Sequence, residues 1–381
     1  MKKIAFVMNG SLPMPPVKGG AVETLVNTIV NDPSVQKKYQ IDVFSASNSD
    51  NKKENNVNYY YINNDKYDKI KKCFRFLHNK FFHKYIGNLY ISKLIKKYNK
   101  LFEQYDYVII ENRPEYGLVL RKYVKGKIML HSHNEFIYRY KKRIKEISEC
   151  YDKFIFVSDF MRNMAKPYID NNKLVVLHNG VNISNFNINI DIQKKRKKYG
   201  LKKSDIVFLY TGRLSKEKGV LELIKAFNCL NNSNYKLIIA GGKNYSDNNE
   251  NKYTKKLKIE SNNNPNIIFT GFIPYNEMPE IYKIADYGVI SSLWEEPFAM
   301  SGLEHLASGH PIVVTNSGGM PELVNDKCSV IVDKNDNIID NLFEGINQIS
   351  KMKNAKEECL KQINKFSREK FIINFLDILN K

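Results

Sequence analysis

Short apolar runs recur along this chain in two series, each run followed by a longer amphipathic stretch, and that rhythm limits the fold more than any other feature. The first series is KIAFVM (3–8), YQIDVFSA (39–46), YVII (107–110), KIMLHSH (127–133), KFIFVS (153–158) and KLVVLHNG (173–180). The second is IVFLYTG (206–212), YKLIIAGG (235–242), NIIFTGFI (266–273), YGVISS (287–292), PIVVTNS (311–317) and CSVIV (328–332). Apolar runs this short are strands, and alternation with helical stretches predicts parallel sheets covered by helices. Between the series, 180–205 is polar, Asn-rich and poor in apolar periodicity, which marks a domain boundary. The predicted organisation is a doubly wound α/β domain over 1–183, a second over 184–362, and a segment 363–381. FSREKFIINFLDILN, in that last segment, has the i, i+3, i+4, i+7 spacing of an amphipathic helix, expected to pack back on the first domain. Two such domains place ligands at the carboxyl ends of their strands, so a central cleft is the expected site.

Composition narrows the function. At 381 residues the chain exceeds one ordinary core, and no apolar run approaches the ~18–20 residues of a membrane-spanning helix. MKKIAFVMNG is too short in its apolar part for a signal peptide and reads as a first strand. Cys73, Cys150, Cys229, Cys328 and Cys359 are scattered and odd in number, which predicts reduced thiols, a cytoplasmic protein and no structural zinc. The formal charge of +20 suggests an anionic partner: nucleic acid, a membrane face or a phosphorylated small molecule. The stretch 66–102 interleaves lysine with Phe, Tyr, Leu and Ile, as an amphipathic surface for anionic lipid would; a solvated helical face in a lysine-rich chain has the same pattern. No recognised nucleic-acid module is visible, so no specific nucleic-acid partner is expected.

Four segments at strand ends carry chemistry. After strand 3–8, a loop reaches Gly19 and Gly20 and opens a helix near Ala21, where backbone N–H groups could approach an anion; a plain tight turn would look the same. In LYTGRLSKEKGVLELIKAF, Arg213 and Lys218 flank a loop before a helix from about Val220, two cations suited to a diphosphate or simply a solvated charge run. In DYGVISSLWEEPFAMSGLEHLASG, Glu296 falls on a loop or first turn and Glu304 about two turns into a helix. A carboxylate there can accept hydrogen bonds from vicinal hydroxyls, although Glu296 could equally complement a helix dipole. In KIMLHSHNEF, His131 and His133 alternate outward at a strand end, followed by Asn134; either histidine could donate to a sugar or phosphate, or sit satisfied in the core. H-x-H also permits a metal, but no further ligand cluster supports one, so none is expected.

Together these residues resemble the retaining, GT-B-fold nucleotide-sugar glycosyltransferases of family 4. GGAVETL, LHSHNE, FVSDFMR, VLHNGVN, TGRLSKEKG and the long run from GFIPYNEMPEIY to GGMPELV carry the likeness nearly end to end. The E-x7-E element, with G-R-L and K-G upstream and G-G-x-P-E downstream, is its most specific part. The resemblance implies that Arg213 and Lys218 hold the donor diphosphate, Glu304 binds the ribose and Glu296 contacts the transferred sugar. It places the backbone of Phe298, Ala299 and Met300 around sugar and phosphates, Gly20 over the phosphates, His133 or His131 facing the sugar, and Gly271–Ile273 beside the base. Where family members often read E-P-F-G, Ala299 replaces the glycine and adds a methyl at the sugar pocket. The implied partners are a nucleotide-sugar donor, UDP-linked by frequency in the family, and a glycan or lipid-linked acceptor of a bacterial surface. No cofactor is implied, and the chain has no D-x-D for a metal. A binding or coat protein that keeps the fold without turnover is the competing expectation.

Overall fold

The computed structural model describes residues 1–17, 20–47, 56–63, 89–242, 252–261, 264–352 and 355–380. Gly19 and the segment 66–88, with Lys69, Lys71, Lys72 and Arg75, lie outside the described residues. The chain forms two compact units: Met1–His178 joined by Ile372–Lys381, and Asn179–Phe371. The divisions fall at 178/179 and 371/372, beside the sequence-based 183/184 and 362/363.

The first unit is built on a seven-stranded sheet in the order β3-β2-β1-β4-β5-β6-β7. The strands are β1 (Lys2–Val7), β2 (Tyr39–Ala46), β3 (Val57–Ile62), β4 (Tyr107–Glu111), β5 (Lys127–Ser132), β6 (Lys153–Phe156) and β7 (Leu174–Val176), and every neighbouring pair is parallel. In β1, Ile4, Ala5, Phe6 and Val7 are all fully buried, as a central strand covered on both faces requires. β3 was absent from the sequence-based strands. It is an edge strand whose VNYYYI is flanked by asparagines and whose three tyrosines are only half-buried, so it lacks the apolar run of its neighbours. The last turns of the helix Arg368–Asn380 join this unit: Phe375 stacks on Phe6 at 6.1 Å and Tyr107 Oη donates to the Leu379 carbonyl at 2.8 Å.

The helix Leu89–Phe102 is the described part of the basic, aromatic stretch. Its Leu89, Ile91, Leu94, Ile95 and Phe102 are buried, and Phe102 stacks on Phe44 of β2 at 4.9 Å. The apolar face of this helix is therefore part of the domain core, while Lys96, Lys97 and Lys100 stay in water. Among the described residues no helix is long and apolar enough to cross a membrane.

The second unit has six parallel strands in the order β10-β9-β8-β11-β12-β13. They are β8 (Ile206–Thr211), β9 (Tyr235–Ala240), β10 (Ile267–Gly271), β11 (Tyr287–Ile290), β12 (Ile312–Thr315) and β13 (Ser329–Val332). All six match apolar runs in the sequence. Buried Arg196, in the short helix Ile192–Lys198, ties the unit's entry to its sheet: it donates to the carbonyls of Ile284 at 3.0 Å and Asp205 at 3.1 Å, and pairs with Asp286 at 2.9 Å. In each sheet the strand order reverses once, between β1 and β4 and between β8 and β11. Loops leaving the carboxyl ends of those strands diverge there and leave room for a ligand.

Candidate functional site

In the second unit, the loops after β8 and β11 bring the predicted cations and carboxylates together. Gly219 makes this possible. It adopts φ +64°, and a Cβ on it would stand 1.9 Å from the Ser291 carbonyl, so only glycine lets the β8 loop lie against the end of β11. The two loops are then stitched: Ser291 Oγ donates to the Lys218 carbonyl at 2.9 Å, and the Leu293 N–H donates to the Glu217 carbonyl at 2.8 Å. Lys218 Nζ lies 2.5 Å from Glu296 Oε2 and 5.3 Å from the centre of the Trp294 ring. The same Glu296 oxygen accepts from Trp294 Nε1 at 2.8 Å and from Ser292 Oγ at 2.9 Å. One carboxylate oxygen thus holds three donors, and an ammonium has further protons to offer an anion. Gly318, at φ +57°, packs on the Glu296 backbone where a Cβ would meet its carbonyl at 2.2 Å, and the Gly319 N–H donates to that carbonyl at 2.8 Å. Arg213 is nearly half exposed and stands 3.7 Å from Glu217.

Glu304 lies on the helix Met300–Ala307, one turn in rather than the two expected, because the helix starts four residues after Glu296. It is buried, and Tyr282 Oη donates to its Oε2 at 2.7 Å while sharing a 2.9 Å hydrogen bond with Thr211 Oγ1 at the end of β8. Burial pushes the Glu304 carboxyl up to about 7, against the pull of hydrogen bonds from Tyr282 and Tyr275. Ala299 caps the helix at φ −75°, an ordinary conformation for alanine, and accepts from the Gly302 N–H at 3.1 Å. Phe298 is buried against Phe366 at 5.4 Å, its carbonyl taking the Asn179 amide at 3.3 Å. Met300 is the first residue of that helix, and Ile273 is half-buried just beyond β10.

The first unit holds the histidines. His131 and His133 do not stand free; both meet Glu111, the last residue of β4. His133 Nε2 lies 2.9 Å and His131 Nδ1 3.2 Å from Glu111 Oε2. Burial alone would raise the Glu111 carboxyl, but the two imidazoles hold it well below the usual carboxylate range. Burial, with His131 alongside, lowers His133 to about 4 despite Glu111, so this ring is neutral at pH 7. The ligand atoms of the three residues lie within 4.8 Å of one another, a spacing compatible with a metal ion. Asn134 is exposed, and its carbonyl accepts from Ser132 Oγ at 2.8 Å. Gly20, at φ +114°, precedes the helix Ala21–Val30; a Cβ there would meet Glu23 Oε2 at 2.2 Å. Burial raises Glu23 to about 7, with the Glu111 charge adding to the effect.

Sequence reasoning missed Glu111, Glu23, Tyr275 and Tyr282, and quoted Trp294 without a role. Glu111 did carry a signal, a single carboxylate closing an apolar strand at the point where the sheet order reverses.

Two family models match the chain in succession: Glycosyltransferase Family 4 over residues 34–185 and Glycosyl transferases group 1 over 191–366. The chain belongs to these glycosyltransferases. Among curated relatives, this glycosyltransferase is 27% identical to Spore coat protein SA of Bacillus subtilis, over 98% of its own length and 95% of that protein's. It is 26% identical to the lipopolysaccharide 1,2-N-acetylglucosaminetransferase of Salmonella typhimurium, over 86% of its own length and 83% of the relative's. Solved structures share the fold at low identity. Sucrose-phosphate synthase from Thermosynechococcus elongatus superposes with TM-score 0.79 at 16% identity, covering 100% of this chain and 98% of that one. Anabaena Alr3699/HepE in complex with UDP superposes with TM-score 0.75 at 17% identity over 100% of both chains. The two Rossmann-like units are thus those of a GT-B glycosyltransferase.

Proposed function

We propose that this enzyme moves a hexose or N-acetylhexosamine from a UDP-sugar to a saccharide or lipid-linked acceptor in surface-glycan synthesis, with retention of configuration and without a metal. The observation that carries the reading is the grouping of Lys218, Glu296 and Glu304 around the ends of β8 and β11, with Arg213 on the same loop as Lys218. Breaking the anomeric C–O bond leaves its electron pair on the departing diphosphate. Lys218, Arg213 and the N-terminus of the helix Met300–Ala307 are fixed beforehand to take up that charge, which costs no reorganisation during reaction. Glu304 accepts from ribose hydroxyls and Glu296 from the sugar, with the Phe298–Met300 backbone lining the phosphates. Glu296 is engaged by a lysine, an indole and a hydroxyl, which makes it a poor nucleophile. Retention therefore proceeds by attack from the face of the leaving phosphate, whose oxygen takes the acceptor proton as the new C–O bond forms. The UDP choice is supported by HepE, which is in complex with UDP and UDP-glucose in its solved structures. The glycan acceptor is supported by the lipopolysaccharide relative.

A non-catalytic coat role is the second reading, favoured only by the name of the Bacillus relative. A thermal-shift panel of UDP, GDP, dTDP and their sugars separates the two. Selective stabilisation by UDP and a UDP-sugar is expected, and no shift with any nucleotide refutes the enzyme reading. We further propose work at the cytoplasmic face of an anionic membrane, on the strength of the +20 charge. Co-sedimentation with anionic but not neutral liposomes is the expected result, and no co-sedimentation removes the idea.

A further inference from the structure

A second basic, aromatic run in the first unit, FIYRYKKRIK (136–145), buries one side and leaves the other in water. It holds five cations and no carboxylate, so nothing within it neutralises the charge. The run follows β5, winds through a 3₁₀ turn at Lys141–Arg143 and enters the short helix Ile144–Glu149. The Tyr140 N–H donates to the Phe136 carbonyl at 3.0 Å, and the Arg143 N–H donates to the Tyr140 carbonyl at 2.7 Å.

Helical spacing sorts the side chains. Ile137, Ile144 and Ile147 are buried, and Phe136 stacks on Phe154 at 6.2 Å and Phe156 at 6.1 Å, both in β6. Half-buried Tyr140 hydrogen-bonds Glu115. Tyr138, Lys141, Lys142 and Lys145 stand at i, i+3, i+4 and i+7 on the opposite side, with Arg139 beside them, and all five are exposed. Arg139, Lys141, Lys142 and Lys145 have no ion pair among the described residues, whereas Arg143 on the flank is held by Glu146 at 2.8 Å. Tyr138, at 67% exposure, is the most exposed aromatic residue among the described ones, and its N–H is fixed to Glu135 Oε1 at 2.8 Å. An aromatic ring left in water among unpaired cations suits the headgroup layer of a bilayer. Tyrosine sits there between water and acyl chains, and each cation gains from an anionic surface. A nucleic-acid duplex would match the charge but has no such layer to receive the ring.

We propose that Tyr138, Arg139, Lys141, Lys142 and Lys145 form the surface by which the first unit docks on an anionic lipid bilayer. The run leaves the carboxyl end of β5, the edge at which a doubly wound domain holds its ligand, so docking there brings a lipid-linked acceptor to that edge. The assignment rests on the membrane part of the functional reading and on none of the transfer chemistry.

The test is co-sedimentation of the full chain with phosphatidylcholine vesicles, with and without phosphatidylglycerol. The combined substitutions Arg139→Gln, Lys141→Gln, Lys142→Gln and Lys145→Gln should lower partition onto the anionic vesicles at least ~50-fold, since each cation near such a surface is worth about fivefold. As a control of equal charge, Lys194→Gln, Lys197→Gln, Lys198→Gln and Lys203→Gln alter exposed lysines of the second unit and should cost less than about threefold. Tyr138→Ser should weaken binding by a factor that persists as salt is raised, because the contribution of the ring is not screened. All the substituted side chains are exposed, and unchanged thermal melts establish that the variants fold. Equal losses in the two combined variants would show that net charge rather than this face drives binding, and would overturn the proposal. Wild-type binding by Tyr138→Ser would overturn it too, as would loss of duplex-DNA binding in the first combined variant with vesicle binding intact. If the wild type ignores anionic vesicles, the membrane reading falls and this surface with it. If the wild type binds and the first combined variant binds equally, only the surface assignment falls.

Discussion

Replacing Glu304 by Gln separates the cost of the site from its use. The carboxyl ionises near 4.5 when exposed and at about 7 in the folded protein, because burial disfavours its charged form. The folded state therefore holds this proton more tightly than the unfolded chain, and stability falls as pH rises from about 4.5 to about 7, then levels. At about 1.4 kcal/mol per pH unit, this group removes about 2–3 kcal/mol between pH 5 and pH 8. For a unit of this size that is about 5–10 °C in melting temperature. The chain's one tryptophan, Trp294, lies in the same unit, so its fluorescence follows the unfolding of interest. Wild type should lose that much more stability than Glu304→Gln across the range, and the glutamine variant should be the more stable of the two at pH 8. The same substitution should weaken UDP binding by about 1.5–3 kcal/mol, the worth of hydrogen bonds to a charged group. Parallel pH profiles for the two proteins would refute the argument that the enzyme keeps a strained carboxyl for ligand contact.

Two further substitutions probe the same unit. Tyr275→Phe deletes a hydroxyl that favours the ionised Glu304, so the pH midpoint of the stability loss should move upward; a midpoint that stays or drops contradicts the assignment. Arg196→Ala removes two carbonyl contacts and the pairing with Asp286, and should cost about 2–4 kcal/mol in urea unfolding followed by Trp294, whereas a cost below about 1 kcal/mol would show the contacts are replaceable.

The sequence carried the layered architecture well because parallel strands buried on both faces leave apolar runs that need no tertiary context. β3 escaped for the converse reason: as an edge strand with half-buried tyrosines, it takes its stability from pairing with β2. The grouping at the ends of β8 and β11 was legible because Gly219, Lys218, Glu296 and Gly318 occupy short loops, where spacing along the chain nearly fixes spacing in space. Glu111 was not, since it meets His131, twenty residues on, only through the register of two strands. Tyr282 was hidden too, because a tyrosine inside an amphipathic helix looks like core until its hydroxyl is seen on Glu304. The histidines were found, but Glu111, the buried carboxylate they share, was not.

The central claim is that fixed cations take up the negative charge of the departing diphosphate, and Lys218→Met tests it most directly. The change keeps a four-atom unbranched stem and removes the ammonium that faces Glu296. The rate of UDP release from a UDP-sugar should fall at least ~100-fold, the usual loss when one preorganised donor to a developing anion is deleted. Release at the wild-type rate would contradict the account.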